Sequence, residues 1–257
     1  MKILILLSLL FTNVYAKNKI QWLGQAATLI TTNEGKKILI DPFIYNNPKT
    51  PKKYKDDKFY KDIDLILITH GHGDHVGSLT KIIELSPKSK ISMNADLAKV
   101  MMNKKQFTND RYIPLNKSGK INPFDDKTEI NMVKAEHSSA VEINGEVHYG
   151  GEPVGYVIKF SNGESFYHAG DTGVFGDMKM IGEYYKINTA FIPIGGSYTM
   201  GPKEAAYAID TLLKPKIVVP IHYGTFPALK GTPEEFKKHL KTKKLLKVIS
   251  PGESVSI

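Results

Sequence analysis

The sequence predicts an α/β (α+β) domain in which two β-sheets pack face to face beneath outer helices. Three observations carry this expectation. Apolar, strand-like runs recur in both halves of the chain, amphipathic helix-like stretches follow several of them, and no Ser/Gly/Pro linker or low-complexity tract separates the halves. Two sheets that each bring their own helices bury all their apolar faces by stacking on one another with the helices outside.

The totals allow one such domain. The chain has 257 residues, 41% hydrophobic and 24% charged, enough for a core of useful size and ordinary for a globular protein. The first sixteen residues, MKILILLSLLFTNVYA, are set apart. Lys2 is followed by an apolar run from Ile3 to Phe11 and by Val14 and Ala16 at the spacing a signal peptidase reads. The expectation is a cleaved signal at 1–16, a single mature domain over 17–257, and a periplasmic or secreted location. The apolar run is well short of the roughly 18 residues that span a bilayer, so no transmembrane anchor is expected after processing.

Along the mature chain, IQWLGQAATLITT and KKILIDPF read as two or three short strands, with a turn at Asn33-Glu34-Gly35. Residues 46 to 62, polar and carrying Pro48 and Pro51, read as an exposed excursion. DLILI (64 to 68) reads as a buried strand. After a glycine-containing loop comes one helix with Val76, Leu79, Ile82 and Ile83 on its apolar face and Pro87 beyond its end. Further strands are expected at EINMVKA, at PVGYVIKF paired through Ser161-Asn162-Gly163 with ESFYHAG, at TAFIPI and at KIVVPIH. Helices are expected around 94 to 103, 175 to 185, 202 to 213 and 233 to 241, the last opened by Thr232 and Pro233.

Composition narrows the chemistry. There is no cysteine, which removes disulfides, thiolate ligands and a thiol nucleophile, so any metal must be held by histidine, carboxylate or water. The formal charge of +9 comes from lysines spread through KKYKDDKFYKD, NKKQ and KKHLKTKKLLK, without the arginine and aromatic clustering that tracks a nucleic acid. It reads as a solvated surface, and no specific nucleic-acid partner is expected.

Three of the eight histidines fall within THGHGDHVG (69 to 77), directly after the DLILI strand. In extended chain, residues two apart point the same way, which aims His70 and His72 at one point. Asp74 and His75, at the turn into the helix, project toward a second. Imidazole and carboxylate suit Zn²⁺ and also Mn²⁺ or Fe²⁺. Four donors cannot complete two sites, so others must arrive from polar, glycine-flanked strand ends. VKAEHSS with His137, FYHAGDTG with Asp171 and VVPIHYGTF with His222 qualify.

HGHGDH, EH, GDTG and PIHYGTF, in this order, resemble the metallo-β-lactamase superfamily. WLGQAATL, LIDPF and IGGSYTMGPKEAA are similar to a branch of its metal-dependent hydrolases that includes lactonases acting on sugar phosphates and phospholipase D-type phosphodiesterases. The resemblance implies a four-layer αββα sandwich and two divalent ions, with zinc first and manganese or iron as alternatives. One ion would sit on His70, His72 and His137, the other on Asp74, His75 and His222, with Asp171 bridging. A hydroxide shared by the ions would then attack an ester, lactone or phosphodiester of a small or lipid-like substrate, and Asp74 would carry the proton.

Two departures stand out. Gly24-Gln25 replaces the Gly-His of many relatives, which bears on contacts near the site rather than on the ligands. True zinc β-lactamases lack an aspartate at the Asp171 position and many use cysteine, so antibiotic hydrolysis is not expected. The glycine-rich stretch 195–206 suggests Ser197, Tyr198 and Met200 as substrate contacts and its helix start as a seat for an anion. His168 could support a ligand or simply end a strand, Asp41 is expected to support the site, His148 is read as a loop residue, and His239 as surface. The competing readings are a metal-dependent nuclease and an exported metal-binding protein without turnover.

Overall fold

The computed structural model describes residues 17–257, so the signal expected at 1–16 lies outside the described residues. The chain runs β1 (Lys19–Gly24), β2 (Ala27–Thr31), β3 (Lys37–Ile40), β4 (Leu65–Leu67), α1 (Gly73–Val76), α2 (Leu79–Leu85), β5 (Lys90–Ser92) and α3 (Ala95–Asn103). It continues with β6 (Lys120–Ile121), β7 (Glu129–Lys134), β8 (Ala140–Ile143), β9 (Glu146–Tyr149), β10 (Val154–Lys159), β11 (Ser165–His168) and α4 (Met178–Tyr185). The last elements are β12 (Thr189–Pro193), α5 (Pro202–Tyr207), β13 (Ile217–Ile221), α6 (Pro233–His239) and β14 (Ser254–Ser256).

Two six-stranded sheets form, in the orders β14-β1-β2-β3-β4-β5 and β13-β12-β11-β10-β7-β6, with β8-β9 as a separate hairpin. Both sheets are mixed. β3, β4 and β5 pair in parallel, as do β11, β12 and β13, and the remaining neighbours are antiparallel. Strands covered on both faces are apolar without alternation, which is why KILI and LIL read as continuous runs. Ile38, Ile40, Leu65 and Leu67 face the second sheet, where they meet Ile130, Tyr156, Phe166 and Phe191. Leu39 and Ile66 point the other way and pack under α2 and α3 with Leu79, Ile82 and Leu97. On the far side, Val157, Tyr167 and Ala190 pack with Met178, Ile181, Ala205 and Phe236 of α4, α5 and α6. The layers are therefore helix, sheet, sheet, helix, as expected.

Several local expectations change. The single helix after THGHGDHVG is two, because Ser78 is claimed by the segment before the excursion: its N–H donates to Pro42 O at 2.8 Å and its hydroxyl accepts from Ile44 N at 2.9 Å. Residues 202–213 begin as α5 and widen into a π turn over Ala208–Leu213. β5, β6, β8, β9 and β14 were not foreseen; each is short, and His148 lies in β9 rather than in a loop. No helix among the described residues is long and apolar enough to cross a membrane.

Strand direction fixes where the site forms. β7 and β11 are both antiparallel to β10 and so run the same way, and β13 follows β11 through β12 in parallel. The loops after β7, β11 and β13 therefore open on one rim, where the loop after β4 meets them.

Candidate metal centre

Two groups of donors converge at that rim: His70, His72 and His137 in one, and Asp74, His75, Asp171 and His222 in the other. Within each group the donor atoms lie within 4.8 Å of one another. The strand before the cluster stops at Leu67, so His70 and His72 meet through the loop rather than through strand alternation, with His70 Nε2 3.0 Å from His72 Nδ1. Asp74 and His75 belong to the single turn of α1, and His72 stands at its N-cap. Each group takes donors from both sheets.

Asp171 stands between the groups. Its carboxylate is 3.9 Å from His70 Nε2 and 3.7 Å from His137 Nε2 on one side. On the other side, 3.4 Å separates it from His75 Nε2 and 3.1 Å from His222 Nε2. The side chains of His70 and His75 are wholly buried, and Asp171 and His222 nearly so. Asp74 is the most exposed of the four donors in the second group, its side chain 24% accessible.

The supporting contacts are specific. Asp41 accepts at 2.8 Å from Thr69 N, at 2.7 Å from the Thr69 hydroxyl and at 2.8 Å from His75 Nδ1, which turns His75 Nε2 toward the centre. Glu136 N donates to Thr172 Oγ1 at 3.0 Å and Gly173 N to Glu136 O at 2.8 Å, stitching the His137 and Asp171 loops together. Gly170, at φ +61°, packs so tightly that a Cβ there would stand 2.8 Å from Thr69 Cβ. His168 touches no donor side chain. It ends β11, accepts from Gly170 N at 3.1 Å and donates through Nε2 to Ala26 O at 2.9 Å, steadying the backbone one residue before Asp171. His148 sits beside Glu146 at 3.5 Å, outside the group, and His239 is exposed.

Charge separates the two groups. Burial pushes the His70, His72 and His137 imidazoles below their ordinary value, keeping lone pairs free. Burial also pushes down on His75 and His222, but the Asp171 carboxylate, with Asp41 beside His75 and Asp74 beside both, outweighs it. His75 lies well above its ordinary value and His222 rises to about 9. Burial acts to raise the Asp171 and Asp74 carboxyls, yet the neighbouring imidazoles hold both below the usual range.

The donors fit a cation. His75 Nε2 and Asp171 Oδ1 are buried without a hydrogen-bond partner, and both point into the group, where a divalent ion would answer both. Neutral imidazoles with carboxylates make a borderline set that accepts zinc, manganese or iron.

The donors floor a cleft of about 740 Å³. Its other wall is Tyr198 and the segment 226–229, Phe-Pro-Ala-Leu. Tyr198 is 66% exposed and lines the cleft. Ser197 is exposed, but its hydroxyl donates to Ala228 O at 3.0 Å, so it braces that wall. Met200 is 2% exposed and packs in the core under α5, because the chain turns inward there to pair Met200 N with Thr172 O; it offers no surface to a substrate. The start of α5 opens on a separate depression lined by its own Glu204, which places the expected anion seat away from the donors.

Sequence reasoning missed the far wall and the backbone strain, and marked Gln25 only as a departure bearing on contacts near the site. Pro227 to Leu229 carries no motif, and Phe226 ends PIHYGTF without any sign in the sequence that it lines a cleft. Gln25, wholly buried, lies 2.7 Å through Nε2 from both Asp74 Oδ2 and His222 Nε2. Gln25, Asp41 and His222 all have φ near +50°, a strained region for non-glycine residues that clusters at functional sites.

Comparison with known proteins agrees with this geometry. A family model described as "Beta-lactamase superfamily domain" matches residues 36–223. A metal-dependent hydrolase of Cupriavidus metallidurans is 45% identical over 249 residues, 93% of this chain and 85% of that one. One from Methanosarcina mazei is 43% identical over 241 residues, 93% of this chain and 98% of that one. Among solved structures, a metallo hydrolase from the hyperthermophilic archaeon Ignicoccus hospitalis superposes with a TM-score of 0.80 at 33% identity, covering 94% of this chain and 98% of that one.

Proposed function

The chain belongs to the β-lactamase superfamily and is a metal-dependent hydrolase, and we propose an enzyme, exported on the strength of its first sixteen residues, that uses two divalent ions to hydrolyse an ester, lactone or phosphodiester of a small or lipid-like substrate. The observation that carries the reading is Asp171, whose one carboxylate lies within 4 Å of imidazoles from both donor groups. A carboxylate so placed is suited to bridge two ions. Zinc is the first candidate, with manganese and iron also compatible with the donors.

Divalent ions on these donors supply Lewis-acid polarisation and lower the pKa of a bound water. The chain's own residues do the rest. Asp74, the more exposed of the two site aspartates, would take a proton from the attacking water through the carboxylate oxygen not engaged with His222 and return it to the leaving group. Tyr198 and Phe226 give an apolar wall that receives the organic part of the substrate and sheds water from the cleft. Among the described residues no lysine or arginine lines the cleft, so an anionic substrate would find its positive charge at the ions. That absence counts against a nuclease, whose phosphate backbone needs basic side chains along its track.

The test is elemental analysis followed by activity. Protein purified without chelator should hold close to two transition-metal ions per chain, and Asp171→Ala should lose part of that load. A panel of lactones, carboxylic esters, phosphodiesters, phospholipids and β-lactams, with His72→Ala as the blank, should show turnover in the first four classes only. Full metal load and activity in Asp171→Ala would remove the bridge; absence of any activity above the blank would leave a metal-binding protein without turnover. Export is tested by intact mass from the native host, which should begin at Lys17.

A further inference from the structure

Gln25 sits in the tight connection between β1 and β2, and its backbone is held from both sides. Its carbonyl accepts from Trp22 Nε1 at 2.9 Å and from His222 N at 3.0 Å. A φ of +53° turns its side chain toward the cleft floor, where the amide nitrogen lies 2.7 Å from Asp74 Oδ2 and 2.7 Å from His222 Nε2. Those two atoms are themselves 3.4 Å apart, and both belong to the second donor group.

In this orientation the amide is only half satisfied. The residue has no accessible surface, yet its Oε1 has no partner. A buried carbonyl left unpaired is destabilising. Rotating the terminal amide by half a turn exchanges oxygen and nitrogen within nearly the same volume, so packing does not oppose it. What favours the present orientation is that an N–H of the amide finds a lone pair on Asp74 Oδ2, and a second finds one on His222 Nε2 once that ring is neutral. Those are the lone pairs a cation takes. Once an ion holds them, the N–H groups lose their acceptors, while an oxygen in the same place would meet positive charge.

We propose that Gln25 is a further ligand of the second donor group: on binding of a cation its amide turns over and Oε1 joins Asp74, His75, Asp171 and His222. Neutral amide oxygens are ordinary donors to divalent ions of hard or borderline character. An added oxygen raises the coordination number and moves the site away from the four-coordinate geometry zinc prefers in closed sites. The second site is then biased toward ions that accept five or six donors. This inference rests on the two-ion reading above.

The experiment is titration of the metal-stripped mature chain with Co²⁺, followed by visible absorption and by competition with a chromophoric chelator, for wild type, Gln25→Leu and Gln25→Glu. Circular dichroism checks the fold, and Gln25→Ala replaces the leucine variant where the turn is disturbed. Wild type should take up two ions, the second with the weak visible bands of a five- or six-coordinate centre. Gln25→Leu should bind the second ion about tenfold or more weakly and with stronger bands, because four-coordinate Co²⁺ absorbs more intensely. Gln25→Glu keeps an oxygen there and should keep the weak bands. Unchanged bands in Gln25→Leu would reduce Gln25 to a hydrogen-bond donor, and tighter binding would make it a competitor of the ion; either overturns the ligand role while two ions still bind. A wild-type chain that binds one ion overturns the two-ion reading and this ligand with it.

Discussion

At the scale of single residues, the two donor groups differ in how ready they are for an ion. His70, His72 and His137 are held neutral by burial, so uptake there displaces few protons. In the metal-free chain His222 titrates at about 9 and His75 also lies above its ordinary value, so both carry protons at neutral pH. An ion entering the second group must expel them. Its affinity should therefore rise from pH 7 toward 9 and level off above, with about one to two protons released per second ion at pH 7. Indicator-dye titration reads this directly, and release confined to the first ion would refute it. Asp41 makes a separate point, because it fixes His75 through Nδ1 and also satisfies Thr69 N. Asp41→Asn keeps the shape but loses the charge and one acceptor, and should weaken the second ion by about ten- to a hundredfold, measured by chelator competition.

At the scale of elements, packing overrides local preference in places that can be named. Gly182 lies inside α4, where alanine is the better helix former by about 1 kcal/mol. A Cβ there would meet Leu213 Cα at 2.8 Å, where the π turn after α5 crosses α4. Gly182→Ala should therefore destabilise the protein by about 1–3 kcal/mol, read from the urea midpoint; a more stable variant would show that the two elements can part. The same contest explains what the sequence revealed. DLILI, TAFIPI and KIVVPIH were legible because a strand buried on both faces must be apolar throughout, and His70, His72, Asp74 and His75 because four donors rarely crowd one strand end by chance. His137, Asp171 and His222 were legible as polar strand ends. Gln25 was legible only as a departure near the site and Phe226 only as the end of PIHYGTF, since nothing in a turn residue or an aromatic side chain records what the folded chain brings beside it. Met200 was misplaced for the same reason: a loop sequence does not say which of its side chains turns inward. The break at Ser78 depends on Pro42 and Ile44, more than thirty residues away.

At the scale of the whole molecule, the centre lies where the two sheets meet, and each donor group draws side chains from both. Ions bound there would add to the apolar contact and the hydrogen bonds, such as His168 Nε2 to Ala26 O and His222 N to Gln25 O, that already join the layers, and they would bind the folded chain alone. Removing them should lower the melting temperature in proportion to the binding energy lost. At a free ion concentration a hundredfold above the dissociation constant the loss is about 2.7 kcal/mol per ion, or roughly 5–10 °C for a domain of this size. Calorimetry with and without chelator tests this, and identical melts would mean that the ions contribute nothing to cohesion. The cleft is also divided in its labour. Its floor is made of donors and their supports, whereas its far wall, Tyr198 with Phe226 to Leu229, contains none of them. On the proposed function, reactivity and selectivity fall on separate stretches of chain, so substitutions in the wall would change the substrate while leaving the donors untouched, and one reaction would stand open to a succession of different substrates.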